Sequence, residues 1–115
     1  MKRVLIGELG GIVKLGLREL IGSDSDCEVV GDAVADADVL SELDSEHPDV
    51  VLLDLDDSHG STDLAMAISA SHPAVKVIAC SSSEPRMRVF LPFRNGESYV
   101  ARMSPEKLIE AVKQN

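Results

Sequence analysis

The stretch HPDVVLLDLD, His47 to Asp56, places a proline, four consecutive aliphatic residues and a carboxylate in one short line. Proline disfavours helix for the residue before it, so a helix stops at His47 and the chain restarts as extended backbone. Asp49 to Leu53 then reads as a strand. Val50-Val51-Leu52-Leu53 offers apolar side chains to both faces, as burial on both sides of a sheet requires. Asp54 stands at that strand's carboxyl end. The same device recurs at Ser71-His72-Pro73-Ala74-Val75, where a second helix stops and an apolar run begins. Both histidines therefore read as helix-end residues near the negative end of a dipole, rather than as ligands or bases.

Outward from this strand, short apolar runs alternate with helical patterns. Lys2 to Gly7 and Cys27 to Gly31 read as strands, as do Val75 to Cys80 and Ser98 to Ala101. Between them, Gly11 to Gly22 carries Val13, Leu17, Leu20 and Ile21 on one helical stripe, and Gly22 suits a helix end. Ala35 to Glu46 places Val39, Leu40 and Leu43 inward under an acidic outer face, and Thr62 to Ser71 carries Leu64, Ala65 and Ile68 at helical spacing. The last helix, Ser104 to Gln114, has a clear start in capping Ser104, Pro105 at the first helical position and Glu106 in the first turn. Glu84 to Asn95 is the weakest segment, and supports at most two turns of helix before Pro92 ends them.

Five strands alternating with helices predict an α/β fold. The expected architecture is a doubly wound, flavodoxin-like (βα)5 sheet of five parallel strands in order 2-1-3-4-5, with helices on both faces. A length of 115 residues suits one domain, residues 1–115, and no linker or repeat divides it. No apolar run approaches the ~20 residues of a membrane span, and no export signal is visible. Cys27 and Cys80 fall in apolar surroundings outside any metal-binding spacing, and read as buried thiols of a cytoplasmic protein.

The formal net charge of −9 is unevenly spread: residues 1–63 carry 4 Lys and Arg against 16 Asp and Glu, whereas residues 64–115 carry 7 against 4. An acidic chain repels phosphate backbones, which argues against direct nucleic-acid binding. Arg86, Arg88, Arg94 and Arg102 form either a solvated basic face or a docking face.

In open α/β sheets, chemistry gathers beyond the carboxyl ends of the strands. There this chain offers Glu8, Asp54, Asp56 and Asp57, the hydroxyls of Ser81 to Ser83, and Arg102. Carboxylates at such ends suit a hard cation, hydroxyls and a cation suit phosphoryl oxygens, and an aspartate can accept phosphate as a nucleophile.

These residues give the chain a resemblance to the receiver domain of two-component response regulators, particularly those joined to helix-turn-helix DNA-binding domains. It is carried by RVLIGELGGIVKLGLRELI, CEVVGDA, HPDVVLLDLD, HPAVKVIACSS and SYVARMSPEKLIEAV. The resemblance implies a signal receiver with Asp54 as phosphoacceptor, Ser81 as the hydroxyl that senses the phosphoryl group, Tyr99 as aromatic switch, and Arg102 in the place of the family's lysine. It implies a Mg²⁺ site of Glu8, Asp54 and the backbone carbonyl of Asp56. It also implies a sensor histidine kinase as phosphodonor, a homodimer through the fourth helix, fifth strand and fifth helix, a DNA-binding effector domain regulating transcription, and a cytoplasmic location.

Departures from the family pattern stand beside the matches. Leu9 replaces the second acid of the metal pair and offers no oxygen. Arg102 brings a planar fork where the family has a compact ammonium. Asp57-Ser58-His59-Gly60 replaces the usual turn after the phosphoacceptor, and Pro92 interrupts the fourth helix. These changes leave room for a pseudo-receiver, controlled by a ligand or by constitutive dimerization without phosphorylation. A nucleotide-binding turn at Gly7 to Gly11 is a remoter alternative, since its spacing is not GxGxxG. A hydrolase built on Ser81 to Ser83 with His59 or His72 lacks a placed base and oxyanion hole.

Overall fold

The computed structural model describes residues 1–7, 11–54, 61–81, 84–94 and 96–114. Along the chain run β1 (Lys2–Gly7), α1 (Gly11–Gly22), β2 (Cys27–Val34), α2 (Asp36–Glu46), β3 (Val50–Asp54), α3 (Ser61–Ser71), β4 (Lys76–Cys80), β5 (Arg86–Phe90), β6 (Ser98–Arg102) and α4 (Pro105–Lys113). The described strands form a single sheet in the order β2-β1-β3-β4-β5-β6.

The α/β, flavodoxin-like class holds, and β2, β1, β3 and β4 are parallel in the expected order. The expectation of five parallel strands does not hold. β5 runs antiparallel to β4, and β6 antiparallel to β5. Residues expected to supply a short fourth helix instead form β5, and the expected last strand becomes β6, one position farther out.

The reason lies in a two-residue period. In Arg86-Met87-Arg88-Val89-Phe90, Met87 and Val89 are buried against the α1 and α4 side, while Arg86 is exposed and Arg88 half-buried. Alternation of this kind belongs to a strand. Pro85 and Pro92 bracket it, so neither end can continue as helix. The turn from β5 to β6 then uses left-handed backbone at Phe93 (φ 60°) and Gly96 (φ 85°). The dimer face expected from a fourth helix, fifth strand and fifth helix therefore has β5 where that fourth helix was placed.

The sheet is packed on both faces. Val4, Ile6, Val50, Leu52, Ile78 and Cys80 meet Leu17 and Ile21 of α1 and Leu108, Ala111 and Val112 of α4. Leu5, Val51, Leu53 and Val77 meet Val39 and Leu43 of α2 and Ala65 and Ile68 of α3 on the other. This double burial explains the unbroken apolar run of β3, whose first four residues are all buried.

Helix ends follow the sequence closely. Ser104 caps α4 through its hydroxyl oxygen, which accepts from the Lys107 N–H at 3.2 Å. His47 closes α2 with φ 49° and donates its N–H to the Leu43 carbonyl at 3.2 Å. His72 sits at the end of α3, with Nε2 2.8 Å from Asp44 Oδ1 and Nδ1 2.8 Å from Ser71 Oγ. A buried lysine finishes α4: Lys76 Nζ donates to the carbonyls of Ala111 at 2.7 Å and Gln114 at 2.5 Å. Burial, with Lys2 as a second cause, pushes its ammonium below the ordinary lysine range. The carbonyls it reaches are the ones a helix end leaves without backbone partners.

Candidate functional site

Asp54 ends β3 and is half-buried, directly beside Cys80 in the β3–β4 register. The apolar residues behind it fix the strand, so the last residue is delivered to the carboxyl edge of the sheet. Its charge is felt by Cys80, whose buried thiol is pushed up to about 12, first by burial and then by the Asp54 carboxylate. Both cysteines are buried free thiols, as their apolar surroundings suggested.

Ser81 follows Cys80 and is 2% exposed. It closes the turn into β5: its N–H donates to the Arg86 carbonyl at 2.9 Å, and its hydroxyl oxygen accepts from the Glu84 N–H at 3.0 Å. Ser81 therefore shapes the turn as well as lying at the end of the strand next to Asp54. The sequence reading gave it only the second of these parts.

The other two carried-over residues lie farther away. Tyr99 is paired with Val89, and Arg102 with Arg86, so both stand on β6 with β5 between them and β4. From β3 to β6 there are three strand steps in the sheet order, which at ~4.8 Å each come to about 14 Å. The structure thus brings Asp54 and Ser81 together and holds Tyr99 and Arg102 apart from them. Tyr99 is 39% exposed on the face that carries α4. The cation two strand steps from β3 is Arg86, which the sequence reading did not place at the site. Its guanidinium lies 3.8 Å from Glu84. Alternation in Arg86 to Phe90 was the available signal.

Glu8, Leu9, Asp56, Asp57, Ser82, Ser83 and His59 lie outside the described residues. β1 ends at Gly7, one residue before Glu8, and runs beside β3 with Ile6 opposite Leu52. Among the described residues, no three His, Cys, Asp or Glu side chains gather as a metal site. No described helix is long and apolar enough to cross a membrane.

No family model matches the sequence. Among curated proteins, the chain is 26% identical over 115 residues to the oxygen regulatory protein NreC of Staphylococcus haemolyticus, covering 96% of this chain and 53% of that protein. It is 27% identical to NreC of Staphylococcus epidermidis with the same coverage. The chain thus spans about half the length of the curated relatives it matches. Among solved structures, it superposes on the isolated receiver domain of RcsB from Salmonella enterica serovar Typhimurium, solved with phosphomimetic BeF3⁻. There the TM-score is 0.62 at 22% identity, over 73% of this chain and 64% of that one. The signal receiver domain of a NarL response regulator from Mycobacterium tuberculosis gives a TM-score of 0.62 at 24% identity, over 70% of this chain and 66% of that one.

Proposed function

We infer that this chain, a receiver domain of the response-regulator kind, takes its signal as a phosphoryl group on Asp54 and passes it on through changed protein contacts. A signal-receiver role in two-component signalling is common to its relatives and its structural neighbours. The observation that carries the finer reading is the pairing of Asp54 with the end of β4, where buried Ser81 follows Cys80.

In that step a carboxylate oxygen of Asp54 bonds to the phosphorus of the donor while the donor's own bond to that phosphorus breaks. With a phosphohistidine donor, the bonding pair stays on the imidazole nitrogen. Receiver domains generally bind Mg²⁺ at this position. Here the ligands would be Asp54, Glu8 and the Asp56 carbonyl, with Leu9 withholding one oxygen, so a weakened site is expected. The ion, when bound, would neutralise charge on the phosphoryl oxygens. The proposed partners are a sensor kinase upstream and a DNA-binding effector domain in the whole protein, acting in the cytoplasm. The isolated chain itself is read as a non-enzymatic phosphoacceptor.

Intact mass after incubation with acetyl phosphate and Mg²⁺ tests this reading. One phosphoryl adduct is expected on the wild type and none on Asp54→Asn. No adduct with acetyl phosphate or with phosphoramidate overturns it. The separation of Tyr99 and Arg102 from Asp54 favours a second reading in that event, a pseudo-receiver whose output does not depend on phosphate. Equal output from wild type and Asp54→Asn in the full-length protein would support that alternative.

A further inference from the structure

We propose that the outer edge of β6 is a docking site for an acidic, extended peptide segment, which adds to the sheet as a further strand. The inference does not depend on phosphorylation at Asp54. It rests on backbone direction, exposure and charge along one edge.

β6 closes the sheet order and pairs with β5 in unbroken register from Ser98 to Arg102. The Met103 N–H donates to the Pro85 carbonyl at 2.8 Å, and the Leu91 N–H donates to the Glu97 carbonyl at 3.0 Å. Hydrogen bonding alternates along an antiparallel strand. Tyr99 and Ala101 therefore turn their backbone groups toward β5, and Ser98, Val100 and Arg102 turn theirs outward. No described strand pairs with them. An extended peptide recognises such a row through its own main chain.

The opposite edge is built differently. β2 pairs with β1 through two register shifts, and its Glu28 forms an ion pair with Arg3 at 3.6 Å. Irregular pairing and charge are common guards of an exposed edge. β6 has no register shift, and Val100 is 49% exposed.

Charge selects the occupant. The register sets Arg102 opposite Arg86 and Val100 opposite Arg88, so these side chains share the face away from α4. Arg86 and Arg102 are exposed, and Arg88 donates to Ser98 Oγ at 3.1 Å. A chain with net charge −9 thus gathers three arginines beside its regular edge. A second copy pairing about Val100 would set each Arg102 against the Ser98 of the other copy, and so against the Arg88 bonded to it. Like charges so placed disfavour self-pairing. Nucleic acid is disfavoured by the overall negative charge, which repels a phosphate backbone. Arg86 already lies 3.8 Å from Glu84 and Arg88 is bonded to Ser98, so an acidic strand satisfies chiefly the exposed Arg102 and the outward backbone groups.

Fluorescence anisotropy of the whole chain tests the proposal with three probes: a labelled decapeptide alternating Glu and Val, its Lys and Val counterpart, and an oligothymidine. The Glu peptide is expected to bind, more weakly at 500 mM than at 50 mM salt, as ~10 Å of screening at 0.1 M predicts. Arg102→Glu should weaken it by roughly tenfold or more. Val100→Pro removes the central outward N–H without changing charge, at an edge position where proline is tolerated, and should weaken binding similarly. A Glu peptide N-methylated on alternate residues reads the same contact without altering the protein, and should fail to bind in the register that faces β6. Undiminished binding to Val100→Pro and to both N-methylated registers overturns strand addition. Equal or tighter binding of the Lys peptide or of oligothymidine, absence of Glu-peptide binding, or self-association that the peptide cannot displace, overturns the proposal.

Discussion

The central parallel strands β3 and β4 and the antiparallel end, β5 and β6, solve different problems with the same number of residues per strand. β3 and β4 are five residues each, and all but Asp54 are buried. β5 and β6 are also five residues each, yet β6 has none fully buried. The first pair lies between helices on both faces and is apolar except at its ends, Lys76 and Asp54. The second pair has α4 on one side and an arginine-bearing surface on the other, and alternates accordingly. One region holds the fold and carries Asp54; the other presents a surface.

The largest expected effect comes from testing that division directly. Leu52 is fully buried in the parallel part, so Leu52→Ala should cost about 2–5 kcal/mol in urea unfolding. Val100→Thr, on the exposed edge, should stay within about 0.5 kcal/mol. Similar losses at both positions would break the comparison.

A smaller effect is expected at the turn joining β5 to β6. Gly96 has φ 85°, and a Cβ there would come 2.6 Å from the Met66 Cε. Gly96→Ala should lower stability by about 1–2 kcal/mol. Met66→Ala in the same background should recover only the steric part. Phe93 holds φ 60° while 73% exposed, so Phe93→Asn should raise the unfolding midpoint slightly, since asparagine tolerates that backbone better.

A pH dependence is expected in the parallel part, seen only at alkaline pH. The Cys80 thiol is held up to about 12 from 9.0. Once unfolded it gives up its proton first, so its contribution to stability is complete below pH 9 and is lost as pH rises toward 12. Cys80→Val should flatten the alkaline decline measured by thermal melts across that window. Asp54→Asn removes the second cause of the shift and should flatten it less.

Much of the parallel part was legible because its signals are local. Proline after His47 and after His72 stops two helices, and an apolar run follows each. Ser104-Pro105-Glu106 announces α4 in the same way. β5 was hidden for the opposite reason. Arg86 to Phe90 is short and carries two arginines, so its two-residue alternation is a faint signal that only pairing with β4 and β6 completes. That missed strand also limited the site reading. Asp54 and Ser81 lie where adjacent parallel strands deliver them. Tyr99 and Arg102 were placed by resemblance, which counts positions along the chain but not a strand inserted between them. Glu8, Leu9 and Asp56 fall outside the described residues, so the metal ligands remain a reading of the sequence.

Lys76 ties the start of one central strand to the end of the last helix. It starts β4 and is tied by its ammonium to the last carbonyls of α4, while Cys80, at the other end of the same strand, lies beside Asp54. Five residues of strand span about 16 Å and bend little when buried on both faces. β4 therefore joins the neighbourhood of Asp54 to the foot of α4 through one continuous strand.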